Sequence, residues 1–254
     1  ATLDQLSNGR IGLNVVAGWN KPEYDAFGID LPSDHSDRYA MAQEWFDYVT
    51  QLWKADSAFD WNGTFFRGKG VYGQPHPVQA RVPIINAASS EEGRAFAMRN
   101  ANFLFTPVFD FGQAQETVTD IKSKAQSVGR SVEVLTFCTV VCRPTQKEAE
   151  DYLDWYANEN ADWDAVDNLM TLQGMHAQSF TKEALAMFRD RFAAGHGGFP
   201  LVGTPDHIAD QLEQLSATGV AGTTLSFVDY AKEFPYFRQE VLPRLEAKGL
   251  RQPL

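Results

Sequence analysis

The chain has 254 residues, 44% of them hydrophobic, enough for one sizeable core and within the usual length of a single α/β barrel domain. Its 33 Asp and Glu outnumber 22 Lys and Arg, giving a net charge of −11, which excludes a nucleic-acid partner as an expectation because phosphate binding needs clustered cations. No charged-then-apolar leader opens the chain and no uninterrupted apolar run approaches the roughly 18 residues of a membrane span, so a cytoplasmic protein that neither crosses nor binds a membrane is expected.

In chain order, ATLDQLSNGR reads as a helix end that runs through the turn signal Ser7-Asn8-Gly9 into a first strand over 11–17, IGLNVVA. A helix is predicted over 37–54, a second strand over 82–87 (VPIINA), a helix over 89–101 and a short third strand over 102–105. Then follow a helix over 113–128, a strand over 132–141, and a helix over 145–159 whose Thr145 and Glu148 fit a capping box. The segment 160–200 breaks the rhythm and reads as an insertion, of the sort that covers sites at barrel tops. A helix over 204–218 opens on Thr204-Pro205, a cap followed by Pro at the first helical position, and precedes a fifth strand over 222–227 and a last helix over 233–248. Gly129 and Gly219 stand where helices should end.

Strands alternating with helices predict an α/β protein with a parallel sheet, in one domain over 1–254. Five strands do not close an eight-stranded barrel. Two explanations stay open: an open doubly wound sheet, or a barrel whose first three βα units lie outside this chain.

Three constellations carry polar chemistry. Asn14 is an amide in a run expected to be a buried parallel strand, so it needs partners for its carbonyl and its NH2, either neighbouring backbone or a ligand with donors and acceptors. Gly18 follows with freedom for a turn, and Trp19 is either a stacking wall or core. In Asp34-His35-Ser36-Asp37-Arg38-Tyr39, Arg38 and Tyr39 begin a helix, where they reach an anion or a polar ring edge unless Arg38 pairs with Asp34 or Asp37. In Asn86-Ala87-Ala88-Ser89-Ser90-Glu91-Glu92-Gly93 a strand gives way through small residues to a helix, which is either an ordinary N-cap or an anion seat of free N–H groups.

Other chemistries find little support. His35, His76, His176, His196 and His207 show no H-x-x-x-H spacing and no nearby Cys, so no metal site is expected. There is no G-x-S-x-G, P-loop or G-x-G-x-x-G. Cys138 and Cys142 in TFCTVVC would sit on one strand face roughly 13 Å apart, too far for a disulfide, whose Cα atoms must come within about 7 Å. The aromatic stretch SFVDYAKEFPYF reads as helix–sheet packing.

Taken in order, LSNGRIGLNVVAGWNKPEY, DHSDRYAMAQEWFDYVTQLW, QPHPVQARVPIINAASSEEGRAFAMRNANFLF and the later GTPDHIADQLEQL, GTTLSFVDY and FRQEVLPRL resemble the bacterial-luciferase-like flavin-dependent monooxygenases. The branch holding pyrimidine monooxygenase looks most similar, with sulfonate and sulfone monooxygenases as relatives. The resemblance implies a luciferase-like (β/α)8 TIM barrel, of which the last five strands are evident here. It further implies reduced FMN supplied by a separate NAD(P)H:flavin reductase, a small organic substrate, O2, and a homo-oligomer. Carried onto this chain, it places Asn14, buried at the barrel's C-terminal mouth, and Glu23 towards the flavin, Arg38 and Tyr39 at its phosphate or ring, and Ser89 in the phosphate loop. Ala17 departs from the small polar residue usual at that point. A deazaflavin-dependent oxidoreductase on the same barrel and a flavin-binding relative without turnover are the alternatives.

Overall fold

The computed structural model describes residues 1–88, 90–175 and 181–253. Ser89 and His176 therefore lie outside the described residues. The chain divides into two compact units: Ala1–Phe105 with Ser123–Val132, and Thr106–Lys122 with Glu133–Leu254.

The first unit runs α1 (Thr2–Ser7), β1 (Leu13–Val15), α2 (Lys21–Ala26), α3 (His35–Lys54), β2 (Phe59–Asn62), β3 (Arg67–Val71), β4 (Ile84–Ala87), α4 (Glu91–Asn100) and β5 (Phe103–Phe105). β1, β4 and β5 form a parallel sheet in which Val15 sits level with Asn86, and Asn86 with Leu104. Those three side chains and Ile84 are buried on one face, which the helices cover. Phe96 of α4 is fully buried there and meets Tyr39 and Phe46 of α3 at ring separations of 6.0 and 6.1 Å. A side chain of that size buried completely contributes about 1.5–3 kcal/mol. On the opposite face Ile85, Phe103 and Phe105 are only half-buried.

The second unit runs α5 (Phe111–Ser127), β6 (Glu133–Cys142), α6 (Gln146–Asp154), a π-helical turn (Trp155–Glu159), α7 (Trp163–Leu172), α8 (Lys182–Gly195), β7 (Phe199–Gly203), α9 (Pro205–Ala217), β8 (Gly222–Ser226), α10 (Tyr230–Glu240) and α11 (Leu242–Ala247). β6 is the longest strand, and its length lets it pair in parallel with β8 along Leu135–Thr139 and with β7 along Cys138–Cys142. Cys138 and Cys142 are both buried free thiols, as their spacing predicted. Burial pushes each up to about 11, so neither is a thiolate at neutral pH.

The five predicted strands are present, shorter in most cases, and eight strands occur among the described residues. The hairpin β2–β3 escapes a sequence reading because its strands, FDWN and RGKGV, are polar and glycine-rich. Its geometry comes from partners elsewhere, chiefly Glu44. β7 begins on the last two residues of the expected insertion and runs past it, with Pro200 as its second residue. Proline is tolerated there because β7 is an edge strand, paired to β6 alone among the described residues. Among the described residues the insertion holds α7 and α8, which bury Val166, Met170 and Phe188 against Trp163, Phe109 and Phe192.

Two predicted helices are corrected. The one over 145–159 keeps its Thr145–Glu148 capping box but widens into a π-turn from Trp155. The last one, placed over 233–248, starts at Tyr230 behind the Asp229 cap and is renewed after Val241, with Pro243 in the first turn of the new helix. In SFVDYAKEFPYF, Phe227 and Phe237 are buried and meet edge-on at 5.5 Å, which is the expected packing, whereas Tyr230 and Phe234 are exposed. No helix among the described residues is long and apolar enough to cross a membrane.

Candidate functional site

The polar residues singled out in the sequence gather in the first unit, where β1 and β4 end side by side. Both strands point their C-terminal ends the same way because they pair in parallel, with Asn14 level with Ile85. The chain leaves β1 through Gly18, at φ 92°, where any Cβ would collide with the Tyr24 hydroxyl. It leaves β4 through Ala87 and Ala88 into α4.

α3 contributes from its first two turns. Asp34 caps it by accepting from Ser36 N at 2.8 Å, so this carboxylate is occupied and does not pair with Arg38. Arg38 instead donates through Nη1 to Gly18 O at 3.3 Å, and its Nε is buried without a partner among the described residues. One residue on, Tyr39 lies across the first turn of α4. Burial raises its phenol above the ordinary tyrosine value, against a hydrogen bond to Ser90 that lowers it, so Tyr39 is a neutral O–H donor at neutral pH.

α4 begins at this spot. Its N-cap is Ser90, whose Oγ accepts from Gly93 N at 3.1 Å. His35 Nε2 lies 2.8 Å from the same Oγ, and the His35 ring stands edge-on to Tyr39 at 5.2 Å. Gly93 is required by this packing, because a Cβ there would strike the Tyr39 hydroxyl and Ala88. Ser90, His35 and Tyr39 thus converge on a helix N-terminus, where the dipole favours an anion. Glu91 and Glu92 are exposed in that turn, and Glu92 approaches His35 at 3.8 Å.

Asn14 departs from expectation. It is exposed, not buried, because Val15 and Ala17 take the buried side of this segment and alternation turns Asn14 and Val16 to the open face. No hydrogen bond occupies its amide among the described residues, and it opens on a cleft of about 360 Å3 that Ala17, Tyr24, Met41, Trp45 and Phe66 also line. Trp19 is 46% exposed, so it is not core. Glu23 sits exposed in the first turn of α2 and does not line that cleft.

The structure sets Arg38 beside the Gly18 turn and Tyr39 at the start of α4, Asn14 on the open face of β1, and Glu23 on the exposed side of α2. It adds Ser90 and His35, which the sequence presented as a cap and as a histidine without metal spacing. The signal for His35 was its i,i+4 relation to Tyr39, which sets both on one helix face.

Comparison with known proteins gives this arrangement its class. The family model for luciferase-like monooxygenases matches residues 1–222. The chain is 32% identical over 262 aligned positions to FMNH(2)-dependent dimethylsulfone monooxygenase of Pseudomonas fluorescens (strain Pf0-1), covering 98% of this chain and 70% of that protein. It is 29% identical to pyrimidine monooxygenase RutA of Yersinia enterocolitica, with 98% and 69% covered. The crystal structure of DmoA from Hyphomicrobium sulfonivorans superposes with a TM-score of 0.83 at 22% identity, covering 98% of this chain and 64% of that one. The chain belongs to the luciferase-like monooxygenase family and has its barrel fold, of which the strands described above form part. It spans about two thirds of the length of these relatives.

Proposed function

We propose that this chain carries most of an FMNH2-dependent monooxygenase that inserts one atom of O2 into a small organic substrate of pyrimidine, sulfonate or sulfone type. Membership of the family, with relatives named for reduced FMN and for dimethyl sulfone and pyrimidine oxidation, supports the reaction class. The observation that carries the site is the gathering of Arg38, Tyr39, His35 and Ser90 where β1 and β4 end, with the Arg38 Nε left unpaired among the described residues.

The donor set fits FMN. The N-terminus of α4, with Ser90, His35 and the Tyr39 hydroxyl, suits the phosphate, and Ser89 belongs to this seat on the sequence reading. Arg38 Nε offers a further charged donor, and the free amide of Asn14 offers both a donor and an acceptor to the ring edge. When bound, reduced FMN supplies the electrons and the activation of O2. The chain binds, orients and dries the site: Trp45, Met41 and Phe66 give the cleft beside Asn14 an apolar wall that disfavours water. None of these side chains is placed as a general base, which agrees with chemistry carried by a cofactor. A separate NAD(P)H:flavin reductase as the source of FMNH2, a homo-oligomer and a cytoplasmic location belong to the same proposal.

The test is oxygen uptake by purified protein given FMNH2 from a flavin reductase, with pyrimidine, alkanesulfonate and dimethyl sulfone substrates, and 18O2 incorporation read by mass spectrometry. Substrate-dependent incorporation of one labelled atom is expected. Binding of a deazaflavin in preference to FMN, or hydride transfer without oxygen uptake, would move the protein to a different reaction class.

A further inference from the structure

Asn86 occupies a position where the fold has no packing reason to place an amide. It lies in β4 on the helix-covered face, 1% exposed, level with Val15 on one side and Leu104 on the other. Two residues earlier on the same face stands Ile84. Its Nδ2 donates to Val15 O at 2.7 Å, while its Oδ1 is buried with no partner among the described residues. A half-satisfied buried amide is costly, and a leucine of similar volume would avoid the cost. An amide kept there under that penalty must do something a leucine cannot.

What it does follows from where its one bond falls. The register of β1 with β4 ends at Val15, and beyond it the chain departs towards the Gly18 turn. The Asn86 amide grips β1 at this last paired residue, the one that follows Asn14. Gly18 O in turn receives the Arg38 guanidinium. We infer that Asn86 is a positioning residue of the flavin site: its side-chain N–H clamps the end of β1 so that the Asn14 amide and the Gly18 turn under Arg38 keep a fixed geometry. The inference rests on the proposed flavin site and adds a residue that itself need not touch the cofactor.

Purified protein is titrated with FMN, followed by quenching of flavin fluorescence, and melted in the absence of FMN. Asn86→Leu keeps the volume and removes both the clamp and the unpaired oxygen. The expected result is a Kd for FMN raised about tenfold, the worth of one well-placed hydrogen bond. The Tm without FMN should stay within about 2 °C of wild type or rise. Asn86→Gln, which keeps an amide, should recover part of the affinity. An unchanged Kd in Asn86→Leu overturns the inference. So does a fall in Tm of more than about 5 °C with no recovery in Asn86→Gln, which would make Asn86 a merely structural residue. If wild-type protein does not quench flavin fluorescence, the flavin reading fails and the clamp is judged separately by amide hydrogen exchange at Ala17 and Gly18. Faster exchange in Asn86→Leu supports the clamp, and equal exchange refutes it.

Discussion

At the residue scale, Glu44 shows how one side chain supplies what local sequence lacks. It lies in the middle of α3, yet its carboxylate accepts from Thr64 N, Phe65 N and Phe66 N at 2.8, 2.9 and 2.8 Å and from the Trp61 indole at 3.2 Å. Burial works to raise its pKa, but the hydrogen bonds from Phe65, Phe66, Trp61 and Thr64 together outweigh it and hold the carboxyl below the usual glutamate range. A carboxylate depressed in the folded state contributes stability that is fully present above the ordinary glutamate value, about 4.3, and is lost as pH falls through the depressed one. The β2–β3 hairpin should therefore open in acid before the rest of its unit. Glu44→Gln should loosen it at neutral pH and flatten that pH dependence. Hydrogen exchange at Phe65 and Phe66 reads both; protection in Glu44→Gln equal to wild type at pH 7 would show that Glu44 does not hold the hairpin.

At the element scale, helix ends decide more than helix interiors. The capping box of α6 closes in both directions, with Thr145 Oγ1 accepting from Glu148 N at 3.2 Å and Glu148 Oε2 accepting from Thr145 N at 3.0 Å. α6 leads straight into the π-turn at Trp155–Glu159, where the regular ladder is already lost, so its start carries a larger share of its register. Thr145→Ala should cost about 1 kcal/mol, a fall in Tm of about 2–4 °C for a chain of this size. A calorimetric scan checks it, and a Tm unchanged within error would mean that tertiary packing, not the cap, fixes this helix.

At the scale of the whole molecule, each unit presents an open strand edge. Among the described residues β1 pairs only with β4, and β8 only with β6. Such edges carry unpaired N–H and C=O groups and invite another strand. The half-buried face of Ile85, Phe103 and Phe105 adds apolar surface to the need for cover. Together with the oligomer proposed for the family plan, this leads to an expected mass by light scattering of at least twice that of one chain. A monomer that stays soluble at high concentration would remove the oligomer from the proposal.

The sequence by itself determined the class and most of the elements. The strand runs at β1, β4, β5, β6 and β8, the caps at Thr145 and Thr204, and the free thiols all follow from period, capping chemistry and spacing, which are local. Arg38 and Tyr39 were legible because a helix start exposes polar groups in a fixed direction. Tertiary structure alone decided which of these meet. Asn14 is open where a buried amide was expected, since strand alternation, not hydropathy, sets which face the helices cover. His35 comes to Ser90 across 55 residues of sequence because α3 packs beside the start of α4. The hairpin β2–β3 and the clamp of Asn86 on Val15 depend on hydrogen bonds from distant residues. Such bonds leave no period in the chain, so only the folded molecule reveals them.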